Sequence, residues 1–172
     1  MIVGRSRHTL RDNAWNVPIS DNSKILPKGR ALPRILVIDD QAHVRAAIVH
    51  ALQAKGFDVV PAESGQSGLT KTEQSKFDVV IADLFMPGID GVTLIKELRK
   101  RSPGLPVIAM SGVLLGTSGR TALDHLPNIS ELTDVIRLQK PFRPNDLLQA
   151  VTAALAADPS AEAHAARHAQ PV

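Results

Sequence analysis

A chain of 172 residues with 44% hydrophobic and 22% charged side chains has the size and composition of one soluble core with extensions, and its longest apolar runs are too short to span a membrane. The absence of cysteine excludes disulfides, thiolate metal sites and cysteine nucleophiles, so any metal must sit on oxygen or imidazole. The formal net charge of +3 divides into +4 over residues 1–33, 0 over 34–157 and −1 over 158–172, which confines the positive excess to one end and weakens a nucleic-acid reading of the whole.

Residues 1–33 mix Pro, Gly, Ser and Asn without apolar periodicity and are expected to form a basic, flexible N-terminal extension, with Trp15 the one residue able to anchor it. They contain no apolar stretch suited to a signal peptide, and a cytoplasmic location is expected. The pattern then alternates strand and helix. RILVIDD is a continuous apolar run closing on two acids, as in a strand buried on both faces of a parallel sheet. Residues 41–55 repeat Val44, Ala47, Ile48, Ala51 and Leu52 at helical spacing, and Gly56 stops them. FDVVPA is a second strand, GQSGLTKTEQSK a weakly amphipathic helix, and FDVVIAD a third strand ending at Asp83. Pro87, Gly88 and Gly91 mark a turn into the helix VTLIKELRKR. PVIAMS is a fourth strand, DVIRLQ a fifth, and NDLLQAVTAAL a final helix with Leu147, Leu148, Val151 and Leu155 on its apolar side. Between the last two strands the segment from Gly112 to Thr133 is longer than one loop and helix require, and Pro127 interrupts its helical pattern, so a displaced or broken helix is expected there. The alanine-rich residues 158–172 are expected to be a flexible tail. Strands joined by helical crossovers give an α/β fold, a doubly wound five-stranded parallel sheet spanning residues 34–157.

Ligands of such sheets bind outside the carboxyl ends of the strands. Those ends carry Asp39 and Asp40, then Asp83, then Ser111, then Lys140 followed by Pro141. Each has an ordinary explanation alone: helix capping for the acids, a turn for Ser111, a solvent-edge charge for Lys140. Jointly they put three carboxylates, a hydroxyl and an ammonium on one edge of one sheet. Clustered carboxylates repel unless a cation compensates, and an oxygen-only set suits Mg²⁺. A carboxylate nucleophile at Asp83 would form an acyl phosphate, with Lys140 and Ser111 contacting the phosphoryl oxygens.

The stretches ILVIDD, VVIADLFMPGIDG, PVIAMSG and LQKPF resemble the receiver domain of two-component response regulators over about residues 34–157. The resemblance implies the flavodoxin-like receiver fold, with Asp39 and Asp40 as the acidic metal pocket, Asp83 as phosphoacceptor, the backbone carbonyl of Phe85 as a further Mg²⁺ ligand, Ser111 as the switch hydroxyl, and Lys140 as the conserved lysine with a cis peptide to Pro141. It implies a histidine kinase or histidine phosphotransferase as phosphodonor and a downstream protein as target, and a protein that promotes only its own aspartyl phosphorylation and dephosphorylation. The chain departs from the family at Arg137, where receivers carry a switching aromatic; a charged guanidinium is expected to stay exposed.

No recognisable DNA-reading domain follows residue 157, so direct DNA binding is not expected, and signalling by protein contact is. A haloacid-dehalogenase-type phosphatase needs a second acid two residues after its nucleophile, where this chain has Gln41 or Phe85, and no Gly-rich phosphate loop supports a nucleotide-binding reading. The remaining alternative is a phosphorylation-independent pseudo-receiver that acts as a protein-binding module.

Overall fold

The computed structural model describes residues 32–89, 91–112 and 135–157. In chain order these form β1 (Arg34–Ile38), α1 (Ala42–Gln53), β2 (Asp58–Ala62), α2 (Gly65–Gln74), β3 (Val79–Asp83), α3 (Gly91–Arg101), β4 (Val107–Ser111), β5 (Ile136–Gln139) and α4 (Pro144–Ala156). All strand pairs are parallel, in the order β2-β1-β3-β4-β5. The expected doubly wound sheet is therefore present. The helix expected between β4 and β5, the N-terminal extension with Trp15 and the alanine-rich tail lie outside the described residues.

The apolar runs become strands because both faces of the sheet are covered. Successive residues of a strand point to opposite faces, and β1 divides accordingly: Leu36 and Ile38 enter one core with Val80 and Ala82 of β3, Leu69 of α2, and Leu94, Ile95 and Leu98 of α3. Ile35 and Val37 enter the other with Val79 and Ile81 of β3, Ile48 and Leu52 of α1, and Leu147 and Val151 of α4. The central strand β3 is buried along its whole length, whereas β5, at the edge, buries only Leu138 fully and leaves Arg137 exposed.

The helix α2 lies close on the sheet because it carries glycine where other helices carry bulk. A Cβ on Gly68 would come within 2.4 Å of Ile38 Cδ1. Its start is fixed by Ser64, whose hydroxyl accepts a hydrogen bond from the Ser67 N–H. The helix α4 begins with Pro144, whose missing N–H costs nothing at a first turn, and Asp146 accepts from the Arg143 N–H at 2.9 Å.

From β1 the chain first moves outward to β2, then crosses back to place β3 on the other side of β1. At such a reversal the loops leaving the two central strands diverge and open a crevice at their carboxyl ends. Ile38 pairs with Ala82, so the next residues, Asp39 and Asp83, leave β1 and β3 side by side.

Candidate functional site

Each predicted site residue is placed by the end of a strand. Asp39 is fully buried and Asp83 nearly so, while Asp40, one position on, is exposed. One carboxylate oxygen from each of the three lies within 4.8 Å of the others. Lys140 directly follows β5, and its peptide bond to Pro141 is cis. Its main-chain N–H donates to the Ser111 carbonyl at 2.7 Å, which aims the side chain back over the sheet edge. From there Nζ donates to Asp39 Oδ2 at 2.8 Å and to Asp83 Oδ2 at 2.6 Å. The lysine side chain is 18% exposed, so the solvent-edge position read from the sequence is corrected: Lys140 is a bridge between two buried carboxylates. Burial alone would lower its pKa, but hydrogen bonds and charge from Asp39 and Asp83 outweigh burial and hold it above the usual lysine value.

The other oxygens of the two buried acids are also engaged. Asp39 Oδ1 accepts from the Gln41 N–H at 2.8 Å, and Asp83 Oδ1 accepts from the Phe85 N–H at 3.0 Å. The loop after β3 is held tightly enough to keep that N–H in place: Leu84 N–H donates to Met110 O at 3.0 Å and Gly91 N–H to Leu84 O at 3.2 Å. Gly91 is a packing requirement as well as a turn residue, since a Cβ there would lie 2.4 Å from Leu84 Cα. Gly88 supplies the positive φ of 95° that the turn needs. The Phe85 ring is 44% exposed at the rim.

Ser111 ends β4, one residue past the Met110 that pairs with Asp83. Its hydroxyl is buried and has no hydrogen-bond partner among the described residues. An unpaired buried hydroxyl costs about 1–3 kcal/mol, which a polar ligand at this edge would relieve. Sequence reasoning missed Arg45, on the first turns of α1, whose Nη1 donates to the Asp39 carbonyl oxygen at 2.5 Å. The only available signal was a cation one helical turn past the acid pair.

The donor set fits a hard divalent cation: oxygen ligands, of which two are buried and oriented by main-chain N–H groups, and one reaches solvent. It equally fits a transferable phosphoryl group, which brings oxygens to the lysine and the unpaired hydroxyl.

The response regulator receiver domain family matches residues 35–152, and the chain belongs to it. Among curated proteins it is 29% identical over 122 residues to the alkaline phosphatase synthesis transcriptional regulatory protein PhoP of Bacillus subtilis, covering 71% of this chain and 48% of that one. It is 36% identical over 104 residues to the sensor kinase CckA of Brucella abortus, covering 58% of this chain and 11% of the kinase. The chain thus spans about half of one relative and a small part of the other. Among solved structures, the chemotaxis protein CheY4 of Vibrio cholerae is 28% identical with a TM-score of 0.63, over 73% of this chain and 100% of that one. The family is one of signalling proteins in two-component systems and not an enzyme family in the usual sense. Among the described residues no helix is long and apolar enough to cross a membrane.

Proposed function

We propose that this protein is a phosphoacceptor: Asp83 receives a phosphoryl group from the phosphohistidine of a histidine kinase or histidine phosphotransferase, and the phosphorylated form signals by contact with a downstream protein. The observation that carries the reading is the buried Asp83 carboxylate, tied to Lys140 at 2.6 Å and flanked by the Asp39–Asp40 pair at the open edge of the sheet.

The reaction is a displacement at phosphorus. A carboxylate oxygen of Asp83 forms the new P–O bond, the P–N bond to the donor imidazole breaks, and its electron pair returns to the ring nitrogen. The Phe85 N–H holds one oxygen of Asp83 so that the carboxylate does not rotate and its other oxygen faces the open end of the site. Lys140 holds a positive charge at Asp83 Oδ2 and is positioned to transfer its hydrogen bond to a phosphoryl oxygen, and the Ser111 hydroxyl has a donor to give. Asp39, Asp40, Asp83 and the Phe85 carbonyl would hold Mg²⁺, which when bound neutralises charge on the phosphoryl oxygens.

Acetyl phosphate tests the reading without a cognate kinase. With Mg²⁺ the protein is expected to acquire one acid-stable, alkali-labile phosphoryl group, lost in Asp83→Asn and in EDTA. Equal labelling of Asp83→Asn would place the acceptor elsewhere. A wild type that takes up no label from any donor would leave the protein-binding module, for which the Lys140 bridge already neutralises part of the acidic cluster without phosphate.

A further inference from the structure

Every polar atom of Asp39 is engaged. Its N–H donates to Ala62 O at 3.1 Å, its two carboxylate oxygens accept from Gln41 N–H and Lys140 Nζ, and its carbonyl oxygen accepts from Arg45 Nη1. Asp40 is the contrast. It is exposed, and its carboxylate makes no hydrogen bond to any other described residue, yet it belongs to the set of three acids whose oxygens lie within 4.8 Å. Its placement is set by its own main chain, which begins at the Asp39–Asp40 peptide. A peptide unit is planar, so fixing the carbonyl oxygen at one end fixes the plane that carries the Asp40 N and Cα. The group that fixes it is the Arg45 guanidinium, and Arg45 is itself tied to the start of α1 by its main-chain N–H, which donates to Gln41 O at 3.0 Å.

We propose that Arg45 is a positioning residue for the acidic pocket: by gripping the Asp39 carbonyl it holds the Asp39–Asp40 peptide so that the Asp40 carboxylate, which no other described residue holds, faces a divalent cation. The inference rests on reading Asp39, Asp40 and Asp83 as the metal pocket.

The two physical effects of an arginine at this place have opposite signs. As a charge, Arg45 repels an incoming cation, and its removal would tighten Mg²⁺ binding. As a support, its removal would free the peptide and weaken binding, by about 10- to 100-fold where outer partners of metal ligands have been removed. The direction of change therefore decides between them.

The experiment is a calorimetric titration of the full chain with MgCl₂ at fixed ionic strength, without phosphodonor, for wild type, Arg45→Met and Arg45→Lys, with melting curves recorded in EDTA. Arg45→Met is expected to bind Mg²⁺ about 10-fold or more weakly, while its melting temperature in EDTA stays near that of wild type. Arg45→Lys keeps the charge but loses the planar fork and should fall between the two. In an Asp40→Asn background, Arg45→Met should cost nothing further. Unchanged or tighter binding in Arg45→Met overturns the proposal, as does a full additional loss in the Asp40→Asn background. Should Arg45→Met fail to fold, wild-type affinity in Arg45→Lys overturns it. A wild type that binds no Mg²⁺ overturns the pocket reading itself, a result distinguishable from failure at Arg45 alone.

Discussion

Two carboxylates buried side by side are tolerated here because one ammonium bridges them, and that gives Lys140 a structural role beside the chemical one proposed for it. Replacing it by methionine leaves Asp39 and Asp83 facing each other without a cation. Removing one partner of a buried charge pair is strongly unfavourable, and at this partly open edge a loss of about 2–3 kcal/mol is expected by denaturant melting in EDTA. Added Mg²⁺ should restore much of that loss in Lys140→Met and do less for wild type; an equal response of both proteins would mean that the cation does not enter this cluster. The raised pKa of Lys140 sets the pH window of its contribution. The folded value lies above the free value of 10.5, so the stabilisation is fully present below 10.5 and is lost as pH rises through the folded value. The residues of this cluster were legible because each sits where an apolar run ends. Arg45 was not, because its role is read by a main-chain carbonyl, and a sequence carries no record of where a carbonyl points.

The strands were legible for the same reason that they are stable: burial on both faces leaves no polar alternation to blur them. Their ends were less so. The third strand begins at Val79 and not at Phe77, where the apolar run starts; Asp78 is engaged with Arg34, accepting from its N–H at 2.6 Å and donating to its carbonyl at 2.8 Å. The α2 helix read as weakly amphipathic because its contact face is made by Gly65, Gly68 and Leu69, and close approach without bulk leaves little hydrophobic periodicity. The two glycines Gly68 and Gly91 make a graded test of this account. Alanine at 68 meets the flexible end of Ile38, whereas alanine at 91 meets the main chain of Leu84, which cannot step aside. Overpacking costs about 1–3 kcal/mol. Gly68→Ala is expected at the low end, eased by better helix propensity, and Gly91→Ala at the high end or beyond, with slower labelling by acetyl phosphate because Leu84 leads into the Phe85 N–H that holds Asp83. The reverse order of stabilities would show that the loop after β3 is more compliant than its packing implies.

On the scale of the molecule, helices cover both faces of the sheet within residues 32–157, and the family match begins at Ile35. Residues 1–33 carry the net positive excess, +4 against a chain total of +3, and none of the site residues named above is among them. A chain starting near Leu32 is expected to keep its melting temperature within a few degrees and to accept phosphate from acetyl phosphate at an unchanged rate. Failure to fold would reveal Trp15 as part of the core, and a changed rate alone would assign the basic segment a role at the site. Arg137 is exposed on the edge strand, as its charge requires, so a phosphorylated state, if the proposed function holds, is reported without a ring buried at that position.

The bridge at Lys140 spans 101 positions to Asp39 and 57 to Asp83. Contacts that distant in sequence form late, after the loops between them have closed. During synthesis the chain emerges amino terminus first, so the acids at the ends of β1 and β3 appear well before the lysine that bridges them. On the proposed reading, competence to take a phosphoryl group is then among the last properties the nascent protein gains. A ribosome-bound or truncated chain lacking β5 carries Asp83 without the lysine that bridges it to Asp39.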